Sequence, residues 1–202
     1  MIKKKLNEHF QSYKLLYLFT LTLLICGFIF GVILFKRQNI DSINELSSFL
    51  DSIMNVDYIN NPEYIQTNLI SNSLLLIIIF VFGLSLLGIP AVSFILFTKG
   101  LQIGFSCALY LESYAMKGIL GILLTLIPQI LFEIIAVFTL SLIALEISLS
   151  IIYACFLHRR TLKLKDFCNH YLNYFIIALI LILISTLFKI YLLPSLYKLF
   201  IS

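Results

Sequence analysis

The chain has 202 residues, of which 61% are hydrophobic and 12% are charged, and its mean hydropathy is +1.05. A water-soluble domain has about 45–50% apolar and about 25% charged residues, so most of this chain is surrounded by lipid or by other membrane helices. The net charge of +4 comes from short basic clusters beside apolar runs. This pattern excludes nucleic acid as a partner, because no continuous basic face exists in water.

The first membrane span is predicted at residues 15–35, which contain no charged residue. A helix of about 20 apolar residues crosses the roughly 30 Å of hydrocarbon in a bilayer. The amino end before this run carries four lysines against one glutamate, and no small-residue cleavage site follows it. We therefore expect an uncleaved span whose amino end is cytoplasmic.

The long polar segment that follows, residues 36–68, holds five of the ten acidic residues of the chain. Its apolar residues recur at spacings of three and four, at Ile40, Ile43, Leu46, Phe49, Leu50 and Ile53. That period predicts an amphipathic helix within an extracytoplasmic loop. The helix can lie on the membrane, face a partner protein or only cap its own bundle.

Two further spans, residues 69–87 and 91–111, are predicted on either side of a Gly-Ile-Pro turn at 88–90. Lys99 then lies near the middle of the third span. A lysine there costs at least about 2.5 kcal/mol unless it faces protein or water. The competing interpretation is a longer second span that ends near Phe97, with Lys99 at the membrane interface.

The next apolar stretch, residues 118–157, is too long for one ordinary span and contains Pro128. Because proline breaks one helical hydrogen bond, we divide the stretch into a short interfacial or broken piece, 118–127, and a full span, 130–157. A last apolar run, 171–193, predicts the fifth span.

The distribution of basic residues among the loops agrees with a chain that crosses the membrane five times. The densest basic cluster, residues 158–165, then lies in the cytoplasm together with the amino end, and the two contain eight of the fourteen Lys and Arg residues. This distribution follows the positive-inside rule. The sequence therefore predicts an all-α, polytopic integral membrane bundle of about five helices, with residues 1–202 forming one membrane domain.

The candidates for buried charges within the predicted spans are Lys99, Glu133 and Glu146. Such groups pair with one another or face a water-filled cavity, and they raise the hypothesis of an ion or proton path. Glu133 follows Pro128 by one to two turns, where the broken helical ladder could admit water. The simpler hypothesis is a structural Lys–Glu pair that holds two helices in register.

Two pairs of glycines, Gly27 with Gly31 and Gly100 with Gly104, have the four-residue spacing that lets membrane helices approach closely. This pattern favours helix packing over catalysis.

Metal and catalytic sites are not expected. Cys155, His158, Cys168 and His170 fall near one loop, but they lack the paired short spacing of a structural zinc site. No HExxH, GxSxG or Walker A string occurs in the chain. We therefore expect no bound metal, no cofactor, no catalytic residue and no enzyme activity.

Two strings carry a resemblance to a known family: Gly83-Leu-Ser-Leu-Leu-Gly-Ile-Pro90 and Phe97-Thr-Lys-Gly-Leu-Gln-Ile-Gly-Phe105. Together with Pro128-Gln129, the basic amino end and the acidic loop, they make the chain resemble stage II sporulation protein M over essentially its whole length. It departs from the family at Ile130, where asparagine is frequent, and at Glu133, which stands in a typically apolar stretch.

The resemblance implies a multispanning scaffold of spore-forming Gram-positive bacteria that has no hydrolytic activity itself. In that family the scaffold recruits two peptidoglycan-degrading enzymes, stage II sporulation proteins D and P, to the septal membrane during engulfment of the forespore. The positions that match the family signature, with an implied role in bundle packing, are Gly83, Ser85, Gly88, Pro90, Lys99, Gly100, Gly104, Phe105, Pro128 and Gln129.

The function expected from sequence is therefore a multi-pass cell-membrane anchor. It would present residues 36–68 to the two enzymes and the basic residues 158–165 to anionic lipid, so its partners are those enzymes and the bilayer. Whether copies associate as a homo-oligomer is left open. The alternative is a permease-like or transporter-associated subunit with a path lined by Lys99 and Glu133, although two matching halves with paired interruptions are not seen.

Overall fold

The computed structural model describes residues 2–53, 62–157 and 164–191, with side chains over 14–50, 66–155 and 171–188. Within these ranges the chain forms helices and no strand, which confirms the all-α class. The helices are α1 (Ile2–Lys36), α2 (Ile40–Ile53), α3 (Pro62–Gly83), α4 (Gly88–Gly121), α5 (Ile127–Leu157) and α6 (Leu164–Tyr191), and a π-helical segment, Ile122–Leu126, joins α4 to α5.

In the described part of the chain, four helical stretches are long and apolar enough to cross a membrane: Lys14–Lys36, Gln66–Gly83, Gly88–Cys155 and Tyr171–Phe188. The third is 68 residues long, and a straight helix of that length would measure about 100 Å. A bilayer core is only about 30 Å thick. This stretch therefore contains more than one crossing.

A backbone reversal at Ala115, within α4, divides the long stretch into two antiparallel passes: the part of α4 before Ala115, and the end of α4 together with the π-helical segment and α5. Ala115 has φ 47° and ψ −126°, outside the helical region. Lys99 and Glu133 are 34 residues apart in sequence and form an ion pair, whereas a straight helix would separate them by about 50 Å. The bundle thus has five helices of crossing length, α1, α3, α4, α5 and α6, which confirms the predicted polytopic membrane bundle.

The turn between α3 and α4 forms at residues 84–87, because α3 ends at Gly83 and α4 begins at Gly88. Helix α4 therefore begins two residues before Pro90. The competing interpretation, a second span that continues to Phe97, is not found, because α3 ends at Gly83. Proline is tolerated in the first turn of a helix, where its missing N–H has no intrahelical acceptor. We call this end of the bundle the turn end.

The structure has the interruption of this apolar stretch at a different place from the break predicted at residues 118–127. After the reversal at Ala115 the helix resumes and passes from Gly121 directly into the π-helical segment and α5, so the helix does not end at Pro128. The reversal lies earlier, at Ala115. The physical reason is that a proline next to a π segment can be accommodated without ending the helix.

Helix α5 is the centre of the bundle, since it contacts α1, α3, α4 and α6. Its buried side chains are mostly small or medium in size, and they include Ala136, Val137, Leu140, Ser141, Ala144, Leu145 and Ser148. Within a bilayer, helices associate through close van der Waals packing, which such residues permit.

Helix α2 lies at the opposite end of the bundle from the turn, and we call this end the α2 end. Leu50 is buried, and Ile43 and Leu46 pack against a cluster that contains Phe35 and Leu109. Its other face, which carries Asp41 and Glu45, is exposed. The amphipathic helix predicted in the acidic loop is thereby confirmed.

Some predicted features lie outside the described residues. They are residues 54–61 of the acidic loop, 158–163 of the basic cluster and 192–193 of the last predicted span.

Candidate functional site: a buried ion pair beneath a polar cavity

An ion pair between α4 and α5 lies inside the bundle. Lys99 Nζ donates a hydrogen bond of 2.9 Å to Glu133 Oε2. The two side chains are only 9% and 7% exposed. A charge in this position is tolerated because it is paired within the protein.

The carboxylate of Glu133 also accepts hydrogen bonds from two other helices. Asn72 Nδ2, on α3, lies 3.3 Å from Oε1, and Ser185 Oγ, on α6, lies 3.4 Å from it. Ser185 Oγ is also 3.0 Å from the carbonyl oxygen of Gln129, so its one proton serves either acceptor. Four helices, α3 to α6, therefore meet at this carboxylate.

The pair lies near the middle depth of the bundle. Gly100, the neighbour of Lys99, packs against the backbone of Leu24. Leu24 is close to the centre of the charge-free run 15–35 of α1. Lys99 therefore lies within the span, as the first interpretation of the sequence predicts, and not at the membrane interface.

A cavity of about 470 Å³ opens above the ion pair toward the α2 end. Helix α2 contributes apolar side chains, Leu46, Phe49 and Leu50, to its wall. Helices α3, α4 and α5 contribute the polar residues Asn68, Ser71, Asn72, Gln102, Ser106 and Gln129, in addition to Lys99 and Glu133. The cavity is thus polar at its floor and more apolar beneath α2.

The π-helical segment borders this cavity. Its last residue, Leu126, lines the wall, and Gln129 follows less than one turn later. Thr125 Oγ1 donates a hydrogen bond of 2.6 Å to the carbonyl oxygen of Gly121. Pro128, in the first turn of α5, has no N–H to donate to the preceding turn. The π-helical turn and the proline together therefore determine the shape of this wall of the cavity. Such π segments often occur at functional sites.

The two predicted glycine motifs pack against each other along α1 and α4. A Cβ atom added at Gly27 would collide with the carbonyl oxygen of Phe97, and one added at Gly31 with that of Leu101. Gly100 and Gly104 lie equally close to the backbone of α1. Because the contacts advance in the same direction along both helices, α1 and α4 are parallel. Phe105 continues this interface through an edge-on contact with Phe35, with ring centroids 5.3 Å apart.

The remaining signature residues form a separate cluster at the turn end. Gly83 lies against the hydroxyl group of Tyr171 and against Ala144. Ser85 accepts a hydrogen bond of 3.0 Å at its carbonyl oxygen from Ser148 Oγ. Gly88 also packs on Ser148, and Pro90 is exposed in the first turn of α4.

Glu146 is not part of the ion-pair site. It is half-buried on α5 and lines a small cavity of about 80 Å³ with Tyr17, Thr139 and Tyr174. It follows Glu133 by thirteen residues along α5, which corresponds to about 20 Å. The structure therefore brings Lys99 and Glu133 together and leaves Glu146 apart.

Sequence reasoning missed Asn72, Gln102 and Ser185 as parts of the site. The sequence contains a signal for two of them: Gln102 follows Lys99 by three residues and Ser106 follows Gln102 by four, and Asn72 follows Asn68 by four. Polar residues on one face of an apolar helix indicate a polar interior. Ser185 had no such signal, because it is a single small hydroxyl residue in an apolar run.

The side chains of the site are mainly hydrogen-bonding groups. Among the residues that the structure describes, no three His, Cys, Asp or Glu side chains lie close enough to share a metal ion. The ammonium group and the carboxylate are bonded to each other, and amides and hydroxyls surround them. This arrangement can hold helices in register, and it can hydrogen-bond a polar group that enters the cavity.

Comparison with known proteins identifies the family. No curated protein and no solved structure was found to match the chain. The family model for stage II sporulation protein M matches residues 20–192, a range that includes every signature position and the whole ion-pair site. The chain therefore belongs to the stage II sporulation protein M family.

Proposed function

We propose that this protein is a membrane scaffold of the sporulation engulfment machinery, which recruits peptidoglycan-degrading enzymes to the septal membrane. Membership in the stage II sporulation protein M family makes it a sporulation-related, multi-pass membrane protein. The enzymes proposed as its partners are stage II sporulation proteins D and P. The chain itself holds and positions these enzymes and carries out no hydrolysis.

The observation that carries this proposal is the exposed face of α2. Ile40 is 77% exposed, and Asp41 and Glu45 are exposed beside it. The opposite face of α2 is held by the packing of Leu50 and its neighbours. A fixed helix that presents charged and apolar side chains at the end of a membrane bundle is suited to binding another protein.

Co-purification tests the scaffold proposal. The full-length chain, tagged and expressed in sporulating cells, is expected to retain both enzymes after solubilisation in mild detergent. Reversal of charge on the exposed face of α2, Asp41→Lys with Glu45→Lys, is expected to lower their recovery at least fivefold. Glu112→Lys, an exposed charge reversal on α4, serves as the matched control and is expected to keep recovery unchanged. Equal recovery in both variants would contradict docking through α2.

The location follows from the same proposal. A fluorescent fusion to the chain is expected to concentrate at the septum before engulfment and to track the mother-cell membrane afterwards. An even distribution around the cell at the time of engulfment would argue against a recruiting role.

A permease-like function is the second candidate, and the polar cavity favours it. The 470 Å³ space reaches the ion pair at middle depth, as a path for ions or solutes would require. Proteoliposomes separate the two functions. Ion or solute flux that is abolished by Lys99→Ala or Glu133→Ala would establish the permease, whereas the scaffold predicts no flux above that of empty vesicles.

A further inference from the structure

We propose that the cavity above Lys99 and Glu133 is a lateral docking site for one transmembrane helix of a partner protein, a helix that carries an uncharged amide or hydroxyl side chain near the middle of its span. This inference rests on the proposed scaffold function, since it specifies how a membrane-anchored partner is held. It follows from the gap between α3 and α4, from the polarity of that gap at each depth and from its size.

Helices α3 and α4 share a buried cluster in the half of the bundle near the turn end. Leu76 and Ile79 of α3 belong to it together with Val92 and Leu96 of α4. At the α2 end, the described residues form a second cluster with side chains of α1, α2, α4, α5 and the π-helical segment, but with none of α3. The amino-terminal half of α3 is therefore separated from α4, and the cavity occupies this gap.

The cavity is open at its side. Helix α2 covers its outer end through Leu46, Phe49 and Leu50. Ser71 of α3 and Gln102 of α4 line the cavity and are nevertheless exposed. Both lie near the middle depth of the bundle, since Ser71 precedes Asn72 at the ion pair and Gln102 is one turn beyond Lys99. Their exposure therefore corresponds to an opening between α3 and α4 toward the bilayer, where a neighbouring helix can approach.

The order of polarity in the cavity favours a helix over a lipid. Lys99 and Glu133 lie at middle depth, whereas Leu46, Phe49 and Leu109 lie toward the α2 end. A phospholipid in that leaflet has the reverse order, because its acyl chains reach the middle of the bilayer and its headgroup lies at the surface. A transmembrane helix can carry a polar side chain at middle depth and apolar side chains one or two turns above it.

The charge of the site selects an uncharged polar group. Lys99 and Glu133 neutralise each other at 2.9 Å, so a further charge would remain uncompensated within the bilayer. An amide or a hydroxyl can exchange hydrogen bonds with Gln102 and Ser71 without adding charge. Such bonds between polar side chains hold membrane helices together.

The size of the cavity determines how the helix is bound. From Lys99 to Leu109 the cavity extends along about 15 Å of α4. A helix segment of that length takes up more than about 1,000 Å³, and the cavity measures about 470 Å³. The partner helix therefore lies across the opening and inserts side chains, while its backbone stays outside.

The cavity is continuous with the face of α2 that carries the scaffold proposal. Phe49 lines the cavity and is 55% exposed, and the same helix presents Asp41 and Glu45. A helix that leaves the cavity at the membrane surface reaches α2. A partner with a membrane helix and an external domain can therefore contact both sites at once.

Site-specific photocross-linking in sporulating cells tests this docking site. A photoreactive amino acid is placed at position 71 or 102 of the full-length chain. The control is position 25, which is 50% exposed on α1 and lies at the same depth, next to Leu24 and its contact with Gly100. Positions 71 and 102 are expected to cross-link a second protein at least fivefold more than position 25. Mass spectrometry is expected to identify the linked peptide as an apolar span with Asn, Gln, Ser or Thr near its middle.

Four results would overturn the proposal: adducts with lipid alone, adducts with a second copy of this chain, a linked span without such a residue, or equal yields at all three positions.

Filling the cavity should block the docking. Ser71→Leu with Ser106→Leu adds bulk to two walls and keeps the ion pair, and it is expected to lower cross-linking from position 102 at least fivefold. The matched control is Thr22→Leu with Cys26→Leu, at exposed positions of α1, which should stay within twofold of wild type. Equal cross-linking in both variants would contradict the site.

The same experiment separates this site from the scaffold function. Recovery of both enzymes without cross-linking in the cavity would contradict the docking site alone. Cross-linking to the span of a different membrane protein, without recovery of the enzymes, would contradict the scaffold function alone.

Discussion

Lys99 Nζ and Glu133 Oε2 lie 2.9 Å apart although 34 residues separate them along the chain. The contact requires the reversal at Ala115 and joins α4 to α5. Asn72 and Ser185 connect the same carboxylate to α3 and α6. One buried ion pair thus fixes the relative positions of four membrane helices.

Removal of the lysine is expected to be strongly destabilising. Lys99→Met leaves the Glu133 carboxylate without its counter-charge, and breaking a buried pair costs about 3–5 kcal/mol. Unfolding of the purified chain in detergent, followed by circular dichroism, measures the loss. The double variant Lys99→Met with Glu133→Leu is expected to recover most of it, because no unpaired charge remains. If the two single losses simply add in the double variant, the two side chains do not act as a pair.

The interface between α1 and α4 should not tolerate a larger side chain in place of its glycines. Gly27→Leu places atoms against the carbonyl oxygen of Phe97, and because backbone atoms cannot move aside, the helices must separate. We expect a loss of about 3 kcal/mol, at the upper end of the usual cost of overpacking. Cys26→Leu, at the exposed neighbouring position, is the control and should change stability by less than about 0.5 kcal/mol. Similar losses in both variants would argue against this close contact.

Ala115 is the position where a glycine should improve the protein. Its φ of 47° is strained for a residue with a Cβ atom, at a cost of about 1–3 kcal/mol, whereas glycine adopts positive φ freely. Ala115→Gly is expected to raise the free energy of unfolding by about 1 kcal/mol. Ala108→Gly, within α4, should lower it by about the same amount. A destabilised Ala115→Gly variant would mean that the chain does not reverse at this residue.

The hydroxyl group of Tyr171 links α6 to α3 at the turn end. It donates a hydrogen bond of 2.9 Å to the carbonyl oxygen of Ile79, and its ring stacks on Phe80 with centroids 4.5 Å apart. Tyr171→Phe keeps the ring and removes the bond, so we expect a loss of about 1 kcal/mol. Tyr153→Phe, at an exposed position, is expected to have no measurable effect on thermal unfolding. A loss of equal size there would show that the measured change does not come from the Ile79 bond.

Much of this architecture could be predicted because hydropathy and helical period are local properties of the sequence. The crossing helices and the amphipathic α2 follow from such patterns. Lys99 and Glu133 could be identified as candidate site residues because charged residues are rare in apolar runs. The reversal at Ala115 could not be predicted, since no glycine or proline occurs between Gly104 and Gly118 to mark it. The meeting of Asn72 and Ser185 at Glu133 depends on tertiary packing, which one sequence does not specify.

The orientation of the bundle is the central claim, because the proposed enzyme partners act outside the cytoplasm and α2 must face them. Single cysteines introduced at Ser48 on α2 and at Leu86 in the turn, in a chain whose four native cysteines are replaced by alanine, test it directly. A membrane-impermeant maleimide applied to intact cells is predicted to label the cysteine at position 48 and to reach the one at position 86 only after lysis. Labelling of position 86 in intact cells, with position 48 protected, would contradict the account.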